Sequence, residues 1–134
     1  MSPTPDDLIP ILSRDAPAPG GHYSQAIVHG GVVYVSGQLP TVIGSPHDPA
    51  APFDTQLRRV LANLTAILAA AGSGPDRILK VSAYIVGGEN WPAFNRIYAE
   101  VLGGARPARS VVPVPELHYG YLVEIDAIAA QYPE

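Results

Sequence analysis

Gln25-Ala26-Ile27-Val28-His29-Gly30-Gly31-Val32-Val33-Tyr34-Val35-Ser36 carries two short apolar runs separated by two glycines. A Gly-Gly loop suits the positive φ angles of a primed turn, so the stretch predicts a β-hairpin. Beyond it the composition and then the period change. Gly44 to Pro52 is a loop by its Gly, Ser and Pro content. Leu57, Val60, Leu61, Leu64, Ile67, Leu68 and Ala71 then recur at helical spacing. Asp54 or Thr55 can cap this helix and Gly72 can end it at C′. Ile78 to Val86 reads as a strand. Asn90 can cap a second helix, with Pro92 in its first turn and Phe94, Ile97, Tyr98, Val101 and Leu102 as its apolar stripe. Gly103-Gly104 stops it, and Ser110 to Val114 and Tyr121 to Ala130 read as the last two strands. The order β-β-α-β-α-β-β predicts an α+β domain over residues 16–134, with two helices on one face of a mixed sheet. Residues 1–15 read as an N-terminal tail or arm, in which only Leu8-Ile9-Pro10-Ile11-Leu12 could pack.

The strands Val32-Val33-Tyr34-Val35 and Val111-Val112 show no clean polar alternation. Two helices cannot cover both faces of such a sheet, so a homo-oligomer is expected to bury the second face. Only 15% of residues are charged, which points the same way. A formal net charge of −4 and scattered Lys and Arg residues argue against a nucleic-acid binder. Cysteine is absent, which removes disulfides, thiolate nucleophiles and Cys-based zinc sites. His22, His29, His47 and His118 are too far apart in sequence for a His-type metal motif. Neither a signal peptide nor an apolar run of membrane-spanning length is legible, so a cytoplasmic location is expected. Phosphate-binding glycine motifs and a Gly-x-Ser-x-Gly elbow are also missing.

A few polar residues stand out against this apolar background. Arg109 enters an otherwise apolar strand. It either pairs with an acidic neighbour or presents a fork to a substrate carboxylate. Glu124 shares one strand face with Leu122, Asp126 and Ile128. It either pairs with Arg109, faces solvent, or acts as general acid or base on a water. Tyr23, Ser36, Gln38 and Asn95 offer neutral hydrogen-bonding groups, and Gly37 leaves the backbone open to close approach. Turn chemistry and helix-face packing would account for the same residues.

Several ordered motifs resemble the Rid family (YjgF, RidA, endoribonuclease L-PSP-like). They are Tyr23-Ser24-Gln25-Ala26, Val35-Ser36-Gly37-Gln38-Leu39-Pro40, Asn63-Leu64, Ala70-Ala71-Gly72, Lys80-Val81 and Phe94-Asn95 with Tyr98. Most specific are Arg106-Pro107-Ala108-Arg109-Ser110 and Val123-Glu124-Ile125-Asp126-Ala127-Ile128-Ala129. The resemblance runs from about Ala16 to Ala130.

It implies a chorismate-mutase-like fold, assembled as a homotrimeric barrel with active sites between subunits. It implies hydrolysis of reactive 2-imino acids and enamines to 2-keto acids and ammonia, with no metal or cofactor. Arg109 would bind the substrate carboxylate and Glu124 would activate water. Tyr23, Ser36, Gly37 and Asn95 would line the pocket with the backbone at Val111. The chain also departs from the family. Val111 stands where many members have cysteine, His22 replaces a proline, and Leu117-His118-Tyr119-Gly120 replaces Leu-Pro-Lys-Gly. His118 and Tyr119 would therefore add rings near the cleft, which suits a larger unsaturated enamine such as 2-aminomuconate, or would form a rim contact. Endoribonuclease or translation-inhibitor activity, and non-catalytic carboxylate binding, are the remaining alternatives.

Overall fold

A computed structural model describes residues 3–134. Its strands are β1 (Ile9–Ile11), β2 (Ala26–His29), β3 (Val32–Gln38), β4 (Ile78–Ile85), β5 (Ala108–Pro113) and β6 (Val123–Ala130). Two helices, α1 (Phe53–Ala70) and α2 (Trp91–Leu102), complete the fold. All six strands form one sheet in the order β1-β2-β3-β6-β4-β5. Every pairing is antiparallel except β4 with β5, so the sheet is mixed. The Gly30-Gly31 turn has φ of 58° and 78°, as a primed hairpin requires.

The segment read as a tail or arm contributes the edge strand β1, with Ile9 opposite Val28 and Ile11 opposite Ala26. β5 begins at Ala108 and not at Ser110, and Arg109 is its second residue, at the entrance of the strand as expected. β6 begins at Val123, which leaves Tyr121 in the preceding turn.

Helix ends differ from expectation at the N-termini. Pro52 occupies the cap of α1, with no side-chain capping bond from Asp54 or Thr55. Asn90 occupies the N-cap position of α2 as expected, but its amide turns to Val86 O at 2.8 Å and makes no capping bond. The C-terminus of α1 follows the glycine rule. Gly72 has φ 77° and donates to Ala69 O, while Ser73 N donates to Leu68 O, closing a Schellman motif.

Both helices pack on one sheet face. Val33, Val35, Val81, Ala83, Ile85, Val123, Ile125, Ala127 and Ala129 are buried against Leu57, Val60, Leu64, Ile67, Phe94 and Ile97. The opposite face is less uniformly apolar than the sequence implied. Along Val32–Val35 and Val123–Ala130 burial alternates, so the apolar runs divide between the two sides. On the uncovered side Tyr34 faces Ile128, but Asp126 faces Ser82 and Glu124 faces Tyr84.

The β3–β6 register slips by one residue between Val35 and Gln38. Ser36-Gly37 therefore forms a β-bulge, a device that re-aims side chains beside functional sites.

Candidate functional site

Glu124 projects from β6 on the uncovered side and lies directly against the bulge. A Cβ added at Gly37 would stand 3.1 Å from Glu124 Cδ and closer still to Oε2. Only glycine leaves this space for the carboxylate. Tyr23, Ser36, Gly37, Leu39, His118 and Glu124 line one cavity. Burial pushes the Glu124 carboxyl above the ordinary carboxylate range; nearby Asp126 adds to the rise and His118 opposes it. Asp126 is also raised, by burial first, against hydrogen bonds from Tyr84 and Ser82. Ser36 Oγ donates to Ser24 O at 2.7 Å, so this hydroxyl holds the bulge to the segment before β2. Tyr23 Oη accepts from Gly20 N at 3.2 Å, which orients its ring.

Arg109 lies elsewhere. It pairs across to Val81, on the helix-covered side, and its guanidinium carbon sits 5.0 Å from the Tyr98 ring centroid and 5.6 Å from that of Phe94. The ion pairs among the described residues are Arg58–Glu100, Arg59–Asp48 and Arg96–Asp54. Arg109 takes part in none of them, so the expected alternative of pairing with Glu124 is not realised. Arg109, Asn95, Tyr98, Arg106 and Pro107 line a second cavity. Tyr98 Oη is buried without a hydrogen-bond partner, and burial raises its pKa while Arg109 lowers it. Val111, half-buried opposite Ala83, packs against the core and connects this edge to the helices.

The structure thus gathers Tyr23, Ser36, Gly37, His118 and Glu124 in one place and Asn95 with Arg109 in another. The two groups open on opposite faces of the sheet. Gln38 turns its amide back to Ser36 O at 3.1 Å and stabilises the bulge. Tyr119 joins a third cavity, adjoining the first through Tyr23, Gly37 and Leu39.

Sequence reasoning missed the residues that set the loops around these cavities. Gln25 bonds Ser13 N, Ser13 O and Pro17 O at 2.6, 3.2 and 2.9 Å. Asn63 donates to Leu39 O and Thr41 O at 3.1 and 2.9 Å. Gln56 donates to Pro49 O and Ala51 O and accepts from Leu122 N, all within 3.0 Å. Each is a buried carboxamide stapling one loop. The legible signal was a polar amide on the otherwise apolar stripe of α1 at Gln56 and Asn63. His47 was missed as well; it lies in a loop whose composition carries no positional signal.

Among the described residues, no group of three or more His, Asp or Glu side chains could hold a metal ion, and no helix is long and apolar enough to cross a membrane.

Two helices on a mixed six-stranded sheet, with a glycine bulge under a half-buried carboxylate, define an L-PSP-type, chorismate-mutase-like protein. The family model described as Endoribonuclease L-PSP matches residues 13–131. The chain belongs to this family, the YjgF/RidA or Rid family. It is 34% identical over 113 residues to a 2-iminobutanoate/2-iminopropanoate deaminase of Dermatophagoides farinae, covering 84% of this chain and 88% of that one. A Rid-family protein of unknown function from Yersinia pestis superimposes with a TM-score of 0.86 at 38% identity, covering 92% and 99% of the two chains. E. coli TdcF with bound serine gives a TM-score of 0.86 at 31% identity, covering 92% and 98%.

Proposed function

We propose that the chain is a cofactor-independent deaminase of reactive 2-imino acids and their enamine tautomers. Water adds to the carbon of the C=N bond, and Glu124 accepts a proton from that water. Glu124 hands that proton to the nitrogen, giving the carbinolamine, then moves the carbinolamine hydroxyl proton to nitrogen; the C–N bond breaks as the C=O forms, and 2-keto acid and ammonia leave. The imine carbon is already electrophilic, so orientation and one proton-handling group suffice. Arg109 grips the substrate carboxylate through its planar fork, aided by Asn95 and the backbone at Val111. Tyr23, Ser36, Gly37 and His118 shape the pocket around the reacting carbon.

The observation that carries this reading is an arginine without an acidic partner among the described residues, resting on two aromatic rings beside an open cavity. Such a guanidinium is set to receive an anion. Because Arg109 and Glu124 open on opposite faces of one sheet, we place the complete site between copies in a homotrimer. The Arg109 half of one copy then meets the Glu124 half of the next. The named activity of the Dermatophagoides farinae relative agrees with this chemistry.

An amino-acid oxidase generates imino acids in situ while semicarbazide traps those that escape. Wild-type protein should suppress trapping, and Arg109→Ala and Glu124→Ala should not. Undiminished suppression by both variants, or none by the wild type on any imino acid, would overturn the proposal.

A further inference from the structure

Tyr119 is the one non-glycine residue with positive φ, 62°, among the described residues. A bulky ring residue adopts this backbone conformation only against steric resistance, and such outliers concentrate at functional sites. What the conformation achieves is visible in the side chain. The Tyr119 ring stacks on His47 with centroids 3.7 Å apart and planes 14° from parallel, yet Tyr119 remains 57% exposed.

His47 is fixed from behind. Its Nδ1 lies 3.0 Å from Tyr121 Oη, and that oxygen also accepts from Asp48 N at 3.2 Å. The pair is therefore a flat wall held by hydrogen bonds and stacking.

This wall borders a cavity of about 210 Å³, smaller than the ~300–1,000 Å³ of sites that enclose a whole drug-sized ligand. It fits a substituent. The cavity shares Tyr23, Gly37 and Leu39 with the Glu124 pocket, so a substituent placed in it stays attached to a group reacting at Glu124. None of its lining residues is Asp, Glu, Lys or Arg. Two of its rims are the segments that Gln25 and Asn63 staple, at Pro17 and at Leu39 and Thr41, so it is formed in advance.

We propose that this cavity is the side-chain subsite of the reaction, and that His47 and Tyr119 select 2-imino acids whose side chain ends in a flat unsaturated group, aryl or conjugated alkenyl. The inference rests on the deaminase reading for the reaction, but binding tests it independently.

Calorimetric titration with phenylpyruvate and with pyruvate compares a ring-bearing and a small 2-keto product. Wild-type protein should bind phenylpyruvate about tenfold more tightly, the order of one good ring–ring contact. His47→Ala and Tyr119→Gly should reduce the ratio of the two affinities to near one. Glycine matches the backbone conformation at residue 119, so this variant keeps the fold, and an unchanged thermal midpoint checks it. Equal binding by the wild type, or a ratio that survives in both variants, would overturn the subsite and leave the ring pair a rim contact. Parallel semicarbazide assays on the imines of alanine and phenylalanine separate the two failures. Hydrolysis without ring preference sinks the subsite alone; ring preference in binding without hydrolysis of either imine sinks the deaminase reading alone.

Discussion

Replacing Gly37 by alanine isolates the position of one carboxylate from the stability of the fold. Gly37 lies outside the left-handed region, so alanine meets no backbone strain there. Its new methyl would stand 3.1 Å from Glu124 Cδ and 3.5 Å from Cγ, with Oε2 nearer than either. Comfortable heavy-atom contact needs about 3.5 Å, so the carboxylate must withdraw by about 1 Å. It is the free end of a flexible side chain, and an off-rotamer χ angle costs about 0.5–1.5 kcal/mol. Alanine returns about 0.4–1 kcal/mol by restricting the unfolded chain. The two nearly cancel, and the thermal midpoint should move by no more than about 4 °C. Catalysis should not be spared. A displacement of about 1 Å at a reacting group can cost 10²-fold, equivalent to about 2.7 kcal/mol of barrier. The assay is kcat/KM for imine hydrolysis alongside a calorimetric melt. A Gly37→Ala protein with wild-type kcat/KM would refute the assignment of Glu124. One that melted more than about 10 °C lower would refute the claim that the side chain simply swings aside.

Glu124→Gln should change stability in a pH-dependent way. Burial raises the Glu124 carboxyl above its unfolded value, so the fold loses stability as pH rises through the raised range. Glutamine should therefore melt higher than wild type near neutral pH, and the gain should vanish below the ordinary carboxylate range. A gain in acid that vanishes at neutral pH would contradict the burial account. Gln56→Leu should leave Pro49 O, Ala51 O and Leu122 N without their partner. At about 1 kcal/mol for each stranded group, the melt should fall by roughly 10 °C. A shift under about 2 °C, read by the same calorimetry, would mean that water replaces the amide.

The helices and central strands were legible because their signals are local. Leu57 to Ala71 repeats at helical spacing, and Gly30-Gly31 dictates its own turn. The edge strand at Ile9–Ile11 was not, since three residues around a proline carry no period and are ordered only by pairing with β2. Which residues of Val32-Val33-Tyr34-Val35 face the helices was not legible, because the run is apolar throughout. Only the pleat, and the helices that cover Val33 and Val35, separate inside from outside. Arg109 and Glu124 were both picked out as chemistry-bearing, but their placement on opposite faces depends on strand order. The bulge at Ser36-Gly37 depends on register against β6 and has no signature in β3 alone. His47 and the stapling carboxamides act through contacts made far along the chain, 74 residues in the case of His47 and Tyr121.

The three stapling amides also govern what a pH profile of this protein can report. Neither glutamine nor asparagine exchanges a proton in any ordinary buffer, so the amide anchors at Pro17, Leu39–Thr41 and Pro49–Ala51 are titration-silent, while the last of these loops is also held through His47 and the Asp48–Arg59 ion pair. Had carboxylates or imidazoles held the first two loops as well, acid would loosen those walls of the cavity while it protonated Glu124, and the two effects would merge into one inflection. With silent anchors at Pro17 and Leu39–Thr41, those two walls stay the same on either side of an inflection in rate, which then reports the groups inside the cavity and the loop that carries His47 and Asp48.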